Sequence, residues 1–577
     1  MIWPQVWRAW AVAASIATAV HSQQTGNNPD WPRWCGKVYE AGYPNFDPGG
    51  QTLPPVPVTG APLLHVQFQP RYSLYLDSEK YGEFVVNAEL SQFHGTSPWP
   101  ATNSTTKWAN RLIFSINLVF SDDPLVQATV LANSTGNVFR FELSRLGKPS
   151  LSPIKVSLYG APENGTPVFQ ATTTMLYLPD KKSGSVTRID NLKGGLWFKN
   201  SASNQTFEPF LPYGFYASHD GFLRNNNTAE IQAYADLGLN AMVPLTIYKD
   251  SPDMLAYMDK INLRFMYNLR EGYKNLSYVR ENVLSARDAE SVFAYWSSDE
   301  PDGWQDPFTA PHAAHDLIKS LDPYHPVAIT LNCQNYYFAE YSAAADFIME
   351  DVYPIGINAT WSKWGTECNI THGDCGCDNC EGTIQDVPDR LDTLATYEKW
   401  LGLWPKTKFH NPQSFHGQDY WLRDPTVGEE HAMNVLAFNH GARGVISWVW
   451  PTSGILGKAH GELATVVTKP PVRDFIVGGG NPERIEVPVQ WTEVVDAAYW
   501  VHPEDQRRVL VGVVNGGYVG VTERVEVELV NATKIEKVVW GDVKWKLEAE
   551  KLVVEGTMPA LATSFVIVNL RAGWAPT

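Results

Sequence analysis

The sequence has no run of lysine and arginine, and its formal net charge is −17. Binding a phosphate backbone needs clustered cations, so no nucleic acid partner is expected. No apolar stretch is long enough to span a bilayer, so no membrane partner is expected either. No glycine-rich phosphate turn follows the first strand of the α/β region, which argues against a doubly wound nucleotide-binding sheet. Ser297 and Ser298 stand in no G-x-S-x-G turn, so a serine hydrolase is not supported. No cofactor motif occurs, and the expected cofactors are none. His312 and His315 have a spacing that suits a metal, but on an outer helix they read as solvated or capping residues, and no metal is expected.

Cysteine is scarce, with six in 577 residues. Arg8, the short apolar stretch from Ala9 to Val20 and the small Ser22 before Gln23 read as a signal peptide over 1–22. The mature chain is then secreted and extracellular. In that oxidising setting Cys35, Cys333, Cys368, Cys375, Cys377 and Cys380 are expected to form disulfides rather than a zinc site. Cys375 and Cys377 are too close in sequence to bridge each other readily, so Cys35 or Cys333 is expected to reach into the cluster. Sequons at Asn103, Asn133, Asn164, Asn204, Asn226, Asn275, Asn358, Asn369 and Asn531 predict a glycoprotein.

What is present is a change of rhythm along the chain. Residues 23–60 are rich in proline, glycine and asparagine and read as an extended lead-in. Over 61–195, short alternating runs such as EFVVNAEL and RLIFSINLVF predict an N-terminal antiparallel β-sandwich. Over 205–480, eight apolar strand candidates alternate with helical patterns: FLPYGFYA, NAMVPLTIY, LRFMYNL, VFAYWSSDE, PVAITLN, DFIMEDVYP, KFHNPQSF and GVISWVW. That alternation predicts a (β/α)8 TIM barrel, and the cysteine-rich stretch over 360–385 falls in the loop after its sixth strand. Short strands return over 485–577 and predict a C-terminal β-sandwich. The fold class is therefore multidomain, a central barrel between two sandwiches.

Chemistry in such a barrel sits at the C-terminal strand ends. The fourth strand ends on Asp299 and Glu300, before Pro301. Adjacent carboxyls repel, which pushes one towards its neutral, proton-donating form, as glycosidic cleavage requires. Aspartate-glutamate-proline at this strand resembles the Asn-Glu-Pro motif of the large clan of (β/α)8 glycoside hydrolases. The sixth-strand run DFIMEDVYP and the seventh-strand run NPQSF resemble theirs as well. The resemblance implies a glycosidase acting on an extracellular oligo- or polysaccharide, with Glu300 as acid/base.

The clan's strand-seven glutamate has no counterpart, since Gln413 stands there. Two second groups remain open. Asp299 resembles the partner aspartate of substrate-assisted N-acetylhexosaminidases, which orients an acetamido nucleophile. Asp351, at the end of strand six, is the alternative carboxylate, with Glu271 in reserve. Glu350 alternates to the other face. Expected contacts to a carbohydrate substrate are His219, Tyr267, Arg270, Asn332, Tyr353, Gln413, Trp448 and Trp450, with Trp450 favoured over Trp448 as a stacking platform. Two further classes stand beside hydrolysis: a non-catalytic carbohydrate-binding protein on a glycosidase barrel, and a lyase.

Overall fold

The computed structural model describes residues 30–99, 110–121, 123–163, 165–487 and 495–571. The expected signal peptide over 1–22 and the sequons at Asn103 and Asn164 lie outside the described residues.

Eight parallel strands close into a barrel: β1 (Tyr213–Ala217), β2 (Ala241–Pro244), β3 (Arg264–Asn268), β4 (Val292–Asp299), β5 (Val327–Leu331), β6 (Phe347–Glu350), β7 (Thr407–His410) and β8 (Ala442–Trp450). β8 pairs back onto β1 and shuts the ring. Their runs are apolar at nearly every position because both faces are covered. One face fills the barrel with Tyr216, Val243, Met266, Trp296, Ala328, Met349, Phe409 and Ile446. The other packs on the outer helices, through residues such as Phe215, Met242, Phe265 and Tyr295.

The helices used below are α1 (Thr228–Asp236), α2 (Pro252–Ile261), α3 (Leu276–Ala286), α4 (Thr309–Leu321), α5 (Phe338–Ser342), α6 (Asp386–Leu401), α7 (Val427–Asn439), α8 (Gly454–Val467) and α9 (Val472–Gly478). Local sequence sets their starts. Asn227 and Asn275 accept main-chain N–H bonds at the starts of α1 and α3, and Thr426 forms a capping box with Glu429 on α7.

A three-stranded sheet (Val186–Ile189, Leu196–Lys199, Glu208–Phe210) sends Ile189, Leu196, Phe198 and Phe210 into the barrel's own core. It plugs the N-terminal end of the ring, and the cavity described below lies at the C-terminal strand ends. Before it, two four-stranded sheets sandwich a core of Leu64, Phe84, Phe114, Val156 and their neighbours. After the barrel, a five-stranded and a three-stranded sheet enclose Val511, Val527, Leu552 and Val566.

The described part of the lead-in includes a small hairpin, Arg33–Trp34 against Lys37–Val38, and docks on the barrel mouth. The disulfides differ from expectation. Cys35 bonds Cys333, and neither reaches the cluster, whose own members pair locally as Cys368–Cys375 and Cys377–Cys380. Lys37 explains the arrangement. Its buried ammonium reaches Asp378 and Asn379 in the cysteine-rich loop, so an ion pair ties the hairpin to that loop where a disulfide was expected.

Candidate active site

The C-terminal ends of the strands open onto a cavity of about 500 Å³. Four carboxyls line it: Asp299 at the end of β4, Glu300 next to it, Asp351 just after β6, and Asp374 from the cysteine-rich loop. Period-two alternation along β6 puts Phe347, Met349 and Asp351 on the inner face. Glu350 points outwards and is bonded to the buried His410 of β7. Glu300 adopts a left-handed conformation, φ 46°, which a residue with a side chain avoids at a cost of about 1–3 kcal/mol. The turn carries the carboxyl over the barrel mouth, while the Glu300 N–H still bonds the Thr330 carbonyl at 3.1 Å.

The electrostatics follow from burial. The Glu300 and Asp351 carboxyls are hydrogen-bonded to each other, and such a bond requires that they share one proton. Burial raises both; Glu300 raises Asp351 further, by repulsion and through their hydrogen bond, whereas that same bond lowers Glu300. Glu300 is pushed up to about 8, with Asp299 as the next contributor after burial, and Asp351 is held well above the usual carboxylate range. Asp299 is raised by burial too, but Arg270 opposes the shift, donating from Nη1 to Oδ2 at 2.8 Å. Asp299 and Glu300 are each partly exposed where they line the cavity.

Arg270 itself is held between aromatic faces, 5.0 Å from the ring centre of Trp296 and 5.5 Å from that of Trp448. Its Nε donates to Glu271, whose exposed side chain does not line the cavity. Below the carboxyls, Asp302 accepts main-chain N–H bonds from Cys333 at 2.9 Å, Gly303 at 2.9 Å and Asn332 at 3.3 Å. Burial raises it to about 7 against those bonds.

No family model matches the sequence, and no curated protein matches it. Among solved structures the chain is similar to an FMN-binding β-glucuronidase from Facaelibacterium prausnitzii L2-6, with 11% identity over 88% of this chain and 70% of that one and a TM-score of 0.33. It is also similar to a GH30 endoxylanase from Clostridium papyrosolvens C71, with 10% identity, 62% and 97% coverage and a TM-score of 0.37. A glycosyl hydrolase family 2 member from Bacteroides cellulosilyticus DSM 14838 gives 9%, 88%, 75% and 0.33. At that remoteness none of them assigns a substrate or a residue role to this chain.

Of the residues singled out in the sequence, Asp299, Glu300, Asp351, Arg270, Asn332, Tyr353 and Trp448 line one cavity. Four do not. Tyr267 has the wrong parity: Met266 of β3 faces inwards, so Tyr267 faces the helices and donates its hydroxyl to Asn282 of α3. Gln413 spends its amide on the Ile355 N–H and on the carbonyls of Ile355 and Phe415, stapling two loops together. Trp450 is displaced by a β-bulge. Phe215 and Ala217 of β1 oppose Ser447 and Trp450 of β8, so three steps on β8 match two on β1. Trp448 therefore faces the cavity against Tyr216, and Trp450 packs outside against Phe215 and Tyr234. His219 sits half-exposed beyond β1 beside Asp220.

Other lining residues had escaped attention. Tyr216, Thr330 and Asn411 share the inner face of their strands and follow from alternation alone. The buried Asn411 donates from Nδ2 to the Tyr216 hydroxyl at 2.8 Å and leaves Oδ1 with no partner among the described residues. It is an acceptor waiting for a donor. Arg33, Trp34 and Tyr39 come from the N-terminal hairpin, and Trp364, Asp374 and Tyr420 from the loops around the cysteine cluster. Nothing in their local sequence marks them, because long-range docking brings them there.

Proposed function

We propose that the protein is a secreted, N-glycosylated glycosidase that cleaves O-glycosidic bonds of an extracellular oligo- or polysaccharide. One observation carries this reading: the carboxyls of Asp299, Glu300 and Asp351 are gathered at the mouth of a closed barrel inside an aromatic-walled cavity. Glu300, raised to about 8, is protonated at neutral pH and serves as general acid. Glu300 and Asp351 line one cavity and are hydrogen-bonded to each other. A glycosidic oxygen entering between them takes the proton of Glu300, and the sugar–oxygen bond breaks. With the pair's one proton passed to the departing oxygen, Asp351 is left as a carboxylate facing the oxocarbenium-like centre, as nucleophile or as base for a water.

Between the two candidate second groups, Asp351 has the better support. Asp299 is committed to Arg270, whereas Asp351 is coupled directly to the acid. The substrate-assisted route through Asp299 predicts activity restricted to acetamido sugars, and the same experiment separates the two. Trp448, Tyr353 and the exposed Trp304 supply apolar faces for sugar C–H surfaces, and Asn411 Oδ1 supplies an acceptor for a hydroxyl. The sequons at Asn133, Asn204, Asn226, Asn275 and Asn358 sit on exposed residues open to a glycan.

The test is incubation of the secreted protein with a panel of 4-nitrophenyl glycosides and natural oligosaccharides, following new reducing ends and the first anomer by NMR. Hydrolysis that is lost in Glu300→Gln supports the reading. Glycan binding with no new reducing ends from any substrate favours a binding protein, and unsaturated products favour a lyase.

A further inference from the structure

The described part of the N-terminal segment reaches the cavity at one point of unusual connectivity. Trp34 donates from Nε1 to Asn332 Oδ1 at 2.8 Å, and Asn332 donates from Nδ2 to Asp351 Oδ1 at 3.2 Å. The next residue on each side of the first bond is a cysteine, and those two cysteines, Cys35 and Cys333, are joined with Cα atoms 5.6 Å apart. The Trp34 ring lies on Gly303, where an added Cβ would come within 2.3 Å of Cζ2. We infer that Trp34 is a positioning residue of the reaction centre, whose indole N–H dictates which end of the Asn332 carboxamide faces Asp351. This inference rests on the proposed role of Asp351.

The physical argument concerns an amide that has two ends. The Asn332 main chain is fixed: its N–H bonds Asp302, and its carbonyl accepts from Arg390 Nη1 at 2.6 Å. What remains open is a half-turn of the side-chain amide, which exchanges Oδ1 and Nδ2. An indole N–H is a donor and never an acceptor, so it selects the orientation with Oδ1 towards Trp34. The NH2 end must then meet Asp351, and a donor there stabilises the carboxylate over the acid. Without the indole N–H the amide is free to turn its oxygen to Asp351, which stabilises the protonated form instead.

Few groups oppose that change. Asp351 is faced by Asp299 and Glu300 from the end of β4, Asp302 from the loop beyond, Tyr216 from β1 and Tyr353 from its own loop. All are acidic or hydroxylic. Of the cavity's two arginines, Arg270 is engaged with Asp299 and Glu271, and Arg33 lies towards Tyr336. The Asn332 N–H is therefore a main source of stabilisation for the Asp351 anion.

The test uses the 4-nitrophenyl glycoside hydrolysed fastest in the panel. Trp34→Phe keeps the ring packing and removes the donor. The expected result is an acid limb of kcat/KM moved up by about one pH unit, the weight of one charge-assisted hydrogen bond. Below that limb kcat falls about tenfold, with KM, the basic limb and Tm unchanged. Asn332→Ala should move the limb by a similar amount, and adding Trp34→Phe to it should move it no further. Gly303→Ala, which displaces the ring, should give the same shift and provides the test if Trp34→Phe fails to fold. A wild-type pH profile in a folded Trp34→Phe, or a shift that adds in full to that of Asn332→Ala, overturns the inference. If Asp351→Asn keeps wild-type activity, the proposed function fails at Asp351, a different outcome from a silent Trp34→Phe.

Discussion

At the scale of single residues, the account turns on one proton held between Glu300 and Asp351. Because the pair titrates as a unit, its two apparent pKa values bound the active window. The singly protonated pair is the working form. Raising the pH strips the pair of its one proton, so kcat is expected to fall on that side. Lowering it adds a second proton to the pair, and the rate falls there as well. A bell-shaped profile measures both limbs, and Asp351→Asn should remove the acid limb while lowering kcat by about 10²–10⁴-fold. The sequence made much of this legible. The doublet at the end of strand four located Asp299 and Glu300, and alternation turned Asp351 inwards and Glu350 outwards. It misplaced Tyr267 for the same kind of reason, since a one-residue error in parity moves a side chain from the cavity to the helix layer.

At the scale of elements, the bulge in β8 decides which tryptophan meets substrate. Trp448 follows the inner face and Trp450 is thrown outwards against Phe215, Phe222 and Tyr234. Trp448→Ala is therefore expected to raise KM about tenfold with little change in stability, the loss of one stacking face. Trp450→Ala should do the reverse, costing roughly 3 kcal/mol of stability while folded enzyme keeps its KM. Steady-state kinetics and urea unfolding on both variants separate the two. The strands themselves were readable from their apolar runs, as were the helices between them. The bulge was not, because both strands look regular and only their pairing reveals the extra residue. Gln413 was misread because its amide is spent on Ile355 and Phe415, contacts between loops that the local sequence does not show.

At the scale of the whole molecule, the barrel is neither free-standing nor open at both ends. The three-stranded plug seals its N-terminal end, and the C-terminal sandwich lends Trp500, Leu510, Val514 and Phe565 to the same core as α7 residues Val435 and Leu436. Removing residues 495–571 uncovers that apolar face, so the shortened chain is expected to aggregate where the full chain stays monodisperse, as size-exclusion chromatography would show. Composition and rhythm gave the order of barrel and sandwiches. They were silent on the N-terminal hairpin as a wall of the cavity, because Trp34 and Asn332 stand 298 residues apart. The Cys35–Cys333 bond was likewise hidden, since cysteine counting names the members of a framework and not its connections.

The central claim is that Glu300 delivers the proton to the departing oxygen, and leaving-group dependence tests it most directly. The rates of wild type and Glu300→Gln are compared on aryl glycosides of one sugar whose phenol pKa ranges from low to high. The account predicts that the variant keeps near-wild-type bond cleavage on the most acidic phenol, which needs no protonation, and loses progressively more as the phenol pKa rises. An equal loss on every phenol, or no loss on any, would contradict it.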